Sequence, residues 1–519
     1  VDLRVTARRW WPAGFALAFV ATGLALSLRH APLGDLGVEA DFFAELAPAA
    51  EAVAAGHLDV ASYPFKGPLY SLVLAPVHAA LAPLGLDWYR SAVVLSLLAS
   101  ALTLLLVHRL SRRLAGERVA AVVVVLTAFT KIFFIHAHKA ASDPLFMLLV
   151  VAAVTVLLCG APRRRTWLAT GALAGLAWLV RDIGVVVGAW ATLVLLLVDP
   201  DHQARRRRLL AALCVWGGFA LVAAPWLAVT HHQSGRWLAS HNLQNIVDEF
   251  YAGARVAEVP VGGFASLGAL VAHDPAYFAG HFLANLPRHF VADLNEVPGL
   301  TYGGLALAGM AVLVWRRPDR RQVAFLLLGF LMFLALGAVF HRPRFALPMV
   351  PAWALVTALA LERLPRLRAR AALAVVACVV ALHIGHIHRS IVFYDRQQPR
   401  HLATAIAAAP TWAAAAIAEK AGEAPGKRPV LMARKAHLAY YAHLAYVAYP
   451  IQAVDPPDLV ARARARGADF LVVGEIERQL LPDRTALDHL EELPGVEVAW
   501  RDPQTTVYRL RPVRVATGS

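Results

Sequence analysis

Apolar residues in this chain come in runs of about twenty, parted by short polar links, a pattern that predicts membrane-spanning helices. The first run extends from Trp10 to Leu28, behind Arg4, Arg8 and Arg9. It is full length and no small-x-small cleavage pattern follows, so an uncleaved anchor with a cytoplasmic N-terminus is expected. Further spans are predicted near 90–108, 118–134, 143–160, 167–180, 183–200, 208–230, 298–316, 321–340, 345–362 and 368–387. With the anchor they make about eleven. Segment 68–86 is apolar as well, but Pro68, Pro76 and Pro83 interrupt it.

Charge decides how that segment is read. If it does not cross, the clusters Arg109-Arg112-Arg113-Arg118, Arg163–Arg165, Arg205–Arg208, Arg316-Arg317-Arg320-Arg321 and Arg363-Arg366-Arg368-Arg370 all share the side of the N-terminus. One crossing would put every one of them outside, against the rule that basic loops stay in the cytoplasm. Segment 68–86 is therefore expected to be a juxtamembrane or re-entrant helix on the outer face. That face then receives loop 30–89, residues 135–142, the long loop 231–297 and everything after about residue 390. It also receives the link Arg181-Asp182 and the step His341-Arg342-Pro343-Arg344. In a bacterium this is a multi-pass protein of the inner (cytoplasmic) membrane with its tail in the periplasm.

Beyond residue 395 the pattern changes. Helical, alanine-rich sequence leads into Pro429-Val-Leu-Met-Ala-Arg434, Ala468-Asp-Phe-Leu-Val-Val-Gly-Glu475 and Thr505-Thr-Val-Tyr-Arg-Leu510. Short β-branched runs alternating with helical stretches predict a small α/β module. The expected organisation is thus an α-helical polytopic membrane domain over 1–395, with juxtamembrane helices in its first outer loop, and a periplasmic α/β domain over 396–519. No internal repeat of roughly 20–50 residues points to a solenoid.

Composition agrees: 59% of the 519 residues are hydrophobic and only 16% charged, with a mean hydropathy of +0.55. The net charge of +15 sits in clusters between apolar runs, where topology demands it, and does not indicate nucleic-acid binding. Cys159, Cys214 and Cys378 fall inside apolar stretches without metal or redox spacing, and are expected to be buried spectator thiols.

With so few charges, acids and a lysine kept at a bilayer surface are functional candidates. In the first outer loop Glu39, Asp41 and Glu45 lie on or just before an amphipathic stretch, from Phe42 through Val53, that ends near Gly56. Acids also favour a helix start, so each alone has a plain structural reading. Lys66 precedes Gly67-Pro68 and is flanked by Tyr63 and Tyr70. It suits either a snorkelling anchor or a point charge for a phosphate. A second outer cluster holds His136, His138, Lys139 and Asp143. Histidines at this spacing do not share a helix face, which argues against a zinc site. Asp143 before Pro144 also suits a helix N-cap. Arg181, Arg342 and Arg344 stand at outer span ends, where arginine is depleted, and this favours anion binding. There is no phosphate loop, nucleophile elbow or His-Glu-x-x-His pattern.

In order, the chain reads Asp41-Phe-Phe-Ala-Glu-Leu46, Lys66-Gly-Pro-Leu-Tyr70, Ser142-Asp-Pro-Leu-Phe146, Leu176-Ala-Trp-Leu-Val-Arg181, Arg344-Phe-Ala-Leu-Pro348 and Arg434-Lys-Ala-His-Leu-Ala-Tyr-Tyr441. This series resembles the GT-C integral-membrane glycosyltransferases. Within them it is similar to the bacterial family 39 group of protein O-mannosyltransferases and lipid A aminoarabinose transferases. The resemblance implies an inverting enzyme that moves a hexosyl or pentosyl group from a polyprenyl-phosphate donor to a hydroxyl of a lipid, glycan or protein acceptor at the outer face. It implies an acid in the first outer loop as acceptor-side base: Asp41 when the Asp-aromatic step is aligned, Glu39 when the aromatic-Ala-Glu step is. Asp41 is the preferred match. Asp143 falls on a second acid of the family and Lys66 on its donor-phosphate lysine, with Arg181, Arg342 and Arg344 as further phosphate candidates. Tyr63, Tyr70, His136, His138 and Lys139 would line the substrate cavity. Some relatives carry a metal-binding glutamate just before the lysine; Phe65 stands there, so a divalent metal lacks support and no cofactor is expected. The alternative, a secondary transporter or lipid flippase, calls for paired halves and broken midplane helices, which the sequence does not show.

Overall fold

The computed structural model describes residues 3–238, 241–251, 259, 263–316, 318–339, 342–363, 369–396, 402–423, 427–450, 455–479 and 486–511. The chain forms two compact units, one of Val1–Ser27 with Ala49–Ile391 and one of Leu28–Pro48 with Val392–Ser519. The opening part of the first outer loop, expected with the membrane domain, thus packs with the tail.

The first unit is helical. It comprises α1 (Leu3–His30), α2 (Ala47–Ala54), α3 (Leu69–Leu81), α4 (Trp88–Phe129), α5 (Lys131–Ala137), α6 (Asp143–Cys159), α7 (Arg164–Val180), α8 (Val185–Leu193) and α9 (Arg205–Ser234). Then follow α10 (Asn242–Phe250), α11 (Leu267–His273), α12 (Pro275–Glu296), α13 (Gly299–Arg316), α14 (Arg320–Leu336), α15 (Val350–Arg363) and α16 (Ala369–Arg396). The span predicted at 90–108 and most of that at 118–134 lie within α4, which breaks at Gly116 (φ 85°, ψ 173°), a backbone state open to glycine; the end of the second runs into α5. The segment predicted as a broken outer helix is α3, with Pro76 inside it. The long outer loop 231–297 carries α10, α11 and α12.

Among the described residues four helical stretches are long and apolar enough to cross a membrane: Trp10–His30, Trp88–Phe129, Arg205–Ser234 and Pro343–Glu362. Other predicted spans are shorter apolar helices, such as Asp143–Cys159 and Asp182–Val198. Leu17, Leu197, Leu213, Leu221, Val314 and Trp315 are largely exposed. An apolar exterior of this extent is at home in lipid, and the chain is an integral membrane protein. Cys378 is exposed and Cys159 and Cys214 half-buried, against the expected burial, because they stand on outer faces of their helices.

Helices α7 and α9 cross closely because glycines line the contact. A Cβ on Gly171 would stand 1.8 Å from the Val215 carbonyl oxygen, and one on Gly218 2.1 Å from that of Leu168. Gly171 and Gly175 are one helical turn apart, the small-xxx-small spacing that lets two membrane helices bring their backbones together.

The second unit is the α/β module. Helices α17 (Ala403–Trp412) and α18 (Ala414–Glu423) lead into β1 (Val430–Ala433), α19 (His437–Tyr441), β2 (Ala445–Ala448), α20 (Pro456–Ala465), β3 (Phe470–Val473), α21 (Glu475–Arg478), β4 (Val496–Arg501) and β5 (Thr506–Leu510). The sheet order is β2-β1-β3-β5-β4. β1 pairs parallel with β2 and β3, whereas β5 runs antiparallel to β3 and β4. Alternation sends Leu431, Ala433, Phe470 and Val472 to the face under α17 and α18. Met432, Leu471 and Val473 pack on the other face, with Leu459 and Val460 of α20. A strand buried on both faces reads as a continuous apolar run, as β1 and β3 do.

Candidate functional site

The Lys66 turn is fastened to its surroundings by hydrogen bonds on each side. Asp59 accepts from the Ala61 amide at 2.9 Å and starts a short 3₁₀ turn. Gln233 near the end of α9 accepts from the Val60 amide and donates to the Leu58 carbonyl, both at 2.8 Å. Beyond the turn the Pro64 carbonyl accepts from the His241 amide at 2.7 Å. Asn242 Nδ2 donates to the Phe65 carbonyl at 2.9 Å and to Asp182 Oδ2 at 2.8 Å. Gly67 sits on the backbone of Leu179, whose carbonyl oxygen would be 2.1 Å from a Cβ there. So Lys66 is held half-buried at a shallow cleft walled by Val60, Tyr63, Trp178, Asp182, Trp226, Thr230 and Trp237. Burial pushes the Tyr63 phenol above its ordinary pKa, so it stays neutral. Tyr70, expected in the cavity, is buried in the interior and does not line this cleft. The sequence reading passed over Trp178, Trp226, Trp237 and Asn242. For Trp178 and Trp226 the signal was an aromatic residue near the end of an apolar run; Trp237 and Asn242 lie in the polar loop beyond and carried none.

The second expected cluster does assemble. Arg181, extended just beyond α7, places Nη2 2.8 Å from Asp143 Oδ1 and 3.4 Å from Ser142 Oγ. Its guanidinium lies 5.9 Å from the Phe345 ring centroid, and that of Arg344 lies 5.6 Å from the same ring. Asp143 is the first residue of α6, whereas the cap position belongs to Ser142, which makes no side-chain cap bond. The N-cap reading of Asp143 gives way to an ion pair because Arg181 draws its carboxylate. His136 and His138 are buried, and their Nδ1 atoms donate to the carbonyls of Ile132 and Phe134, each at 2.8 Å. Burial holds His136 below its ordinary pKa; Asp143 raises it, and Arg344 and Arg181 lower it. A neutral His136 adds no charge to the site. Lys139 is also buried, while Arg342 is exposed. The Arg181-Asp182 step joins the two clusters, Arg181 facing Asp143 and Asp182 facing the Lys66 cleft.

The acids of the first outer loop belong to the second unit. Asp35 Oδ1 accepts from the Gly37 and Val38 amides at 2.8 and 2.7 Å. The Asp35 amide donates to Glu39 Oε2 at 2.8 Å, and Glu39 is completely buried. Gly34 (φ 78°) is forced by this turn and by the Phe43 ring, 2.6 Å from where its Cβ would be. Asp41, half-buried, precedes a single π-helical turn, Phe42–Leu46, a deviation often found at functional positions. Helix α19 closes on that turn. The Phe43 ring centroid lies 4.1 Å from that of His437, 5.1 Å from Tyr440 and 5.7 Å from Tyr441. These tail residues were visible as a motif, but no role was read from them.

Arranged in this way, the molecule has the architecture of the GT-C glycosyltransferases, as the sequence motifs led one to expect. Residues 73–228 match the family model of dolichyl-phosphate-mannose-protein mannosyltransferases, a stretch that carries the Arg181–Asp143 pair and the Trp178 and Trp226 walls of the cleft. Among solved structures the chain is similar to ArnT from Cupriavidus metallidurans bound to undecaprenyl phosphate, with 16% identity, coverage of 95% of this chain and 98% of that one, and a TM-score of 0.62. It is also similar to the oligosaccharyltransferase AglB from Archaeoglobus fulgidus in complex with an inhibitory peptide and a dolichol-phosphate, with 14% identity, coverage of 98% and 75%, and a TM-score of 0.56. The arabinofuranosyltransferase AftD from Mycobacteria aligns at 16% identity over 98% of this chain and 40% of that one, with a TM-score of 0.50. No curated protein sequence matches. At these identities the likeness establishes the fold.

Proposed function

We propose that this protein is a polyprenyl-phosphate-dependent glycosyltransferase that transfers a sugar, with inversion, to an acceptor hydroxyl at the outer face of the membrane. The observation that carries the reading is the Lys66 cleft: a half-buried ammonium among Tyr63, Trp178, Trp226 and Trp237. A cation suits a phosphate and an aromatic, apolar wall suits the first carbons of its lipid or the sugar ring. The neighbours agree with this, since ArnT was solved with undecaprenyl phosphate and AglB with a dolichol-phosphate.

In this reading the lipid phosphate is a good leaving group, so no acid has to protonate it. Lys66 stabilises the charge that develops on the phosphate, with Arg344 and Arg342 as further cations. Asp143 orients Arg181. Asp41 takes the proton of the acceptor hydroxyl as general base, while Glu39 holds the loop through the Asp35 amide. The chain threads the membrane about eleven times, with the N-terminus inside and the 396–519 domain outside. Native mass spectrometry of the purified protein tests the reading. The wild type should carry a polyprenyl-phosphate sugar, and Lys66→Ala should lose about ten- to a hundredfold in affinity for it, the worth of one charge-assisted hydrogen bond. Lipid retained equally by both proteins would remove Lys66 from the donor site.

A further inference from the structure

The Lys66 turn and the Arg181-Asp182 step are far apart in sequence, and one side chain of the long outer loop holds both. Asn242 opens α10, half-buried. Its Oδ1 accepts from Asn245 Nδ2 at 2.9 Å. The amide nitrogen then faces the other way, and donates to the Phe65 carbonyl at 2.9 Å and to Asp182 Oδ2 at 2.8 Å. A carbonyl and a carboxylate only accept, so this position calls for a neutral side chain that donates twice and accepts once, as a primary amide does. The preceding residue grips the same turn: the His241 amide donates to the Pro64 carbonyl at 2.7 Å, and its ring stands edge-on to Phe65 at 5.9 Å. Two successive carbonyls before Lys66 are thus taken by two successive residues of the outer loop.

The far end of α10 is anchored as well. Glu249 Oε1 accepts from Asn285 Nδ2 at 3.1 Å, and Asn285, buried on α12, also reaches the Gly337 carbonyl at 3.4 Å. The Phe250 ring stacks on Phe278 at 4.4 Å, and its carbonyl accepts from the Tyr277 hydroxyl at 2.6 Å. Helix α10 is therefore a strut between α12 and the Lys66 turn. We infer that Asn242 is a positioning residue: it ties the turn that carries Lys66 to Asp182 on the cleft wall, and so sets where the lysine stands. The role rests on the reading of Lys66 as the donor-phosphate cation. Both donor bonds of Asn242 run to groups beside Lys66, so its contribution passes through the lysine and not through contact with the lipid phosphate.

Two measurements on full-length protein in detergent test this. Amide hydrogen exchange needs no ligand, so it judges the tie apart from the transferase reading. Asn242→Leu keeps the size and neutrality of the side chain and removes both donor bonds. Exchange over residues 58–67 and 180–184 should quicken together by about three- to tenfold, the worth of one neutral hydrogen bond. Gln244→Ala loses only an exposed bond to Asp248 on the same helix and should match wild type. Exchange that is unchanged in Asn242→Leu, quickened in one segment only, or quickened equally over 168–175 in the α7–α9 crossing would overturn the inference. The second measurement is affinity for geranylgeranyl phosphate. Asn242→Leu should bind it about three- to tenfold more weakly and cause no further loss in a Lys66→Ala background, because the two act as one unit. Additive losses would make Asn242 a ligand contact in its own right and overturn the positioning role. Unchanged binding by Lys66→Ala alone would sink the donor-phosphate reading and leave the tie to be judged by exchange.

Discussion

Asp41 and Glu39 are close in sequence and chemically alike, yet their surroundings give them different work. Glu39 is completely buried and takes the Asp35 amide; Asp41 is half-buried at the start of a π-helical turn. Removal of the Glu39 carboxylate strands a buried amide, which costs about 1–3 kcal/mol. Glu39→Ala should therefore lower the thermal midpoint of unfolding. Asp41→Asn should keep that midpoint and lower transfer on the order of a hundredfold or more, the loss expected of a missing general base. Transfer assays and thermal denaturation of both variants check the pair, and the reverse pattern would move the base to Glu39. Motif matching preferred Asp41 with Glu39 as the alternate, and it could not show which acid the turn consumes.

Helix α7 was legible as an apolar run, but neither its close crossing through Gly171 and Gly175 nor its partner was read from the sequence. The structure supplies α9, with Val215 and Phe219 facing the two glycines. Gly171→Ala forces a methyl group into the Val215 backbone, and overpacking of this kind costs about 1–3 kcal/mol. Gly217→Ala has its nearest foreign atom 3.9 Å away, so that variant should match or exceed the wild type in thermal stability in detergent while Gly171→Ala falls below it. In the tail, β1, β3 and β5 were readable as β-branched runs. β2 and β4 were missed because they lie at the sheet edges with half-exposed residues, and such strands lack a continuous apolar signal.

For the whole molecule, the distribution of arginine clusters predicts that the first outer loop and the tail face the same side. With Cys159, Cys214 and the exposed Cys378 replaced, Ser62→Cys and Glu419→Cys should both react in intact cells with a membrane-impermeant maleimide. Reaction at one site and not at the other would mean that segment 68–86, or another, crosses once more than the charge pattern allows.

Hydropathy and charge by themselves determined that the chain lives in a membrane, sequence pattern that a small α/β module follows, and short motifs carried the resemblance to the GT-C enzymes. These follow from composition summed over runs of twenty residues and from short motifs, which need no knowledge of distant contacts. Tertiary structure alone decided that the loop bearing Asp41 packs with the tail, that Asp143 is spent on Arg181, and that aromatic rings from α7 and α9 wall the Lys66 cleft. Each depends on residues tens to hundreds of positions apart. No local pattern encodes such pairings, because the energy that selects them exists only when both partners are buried together.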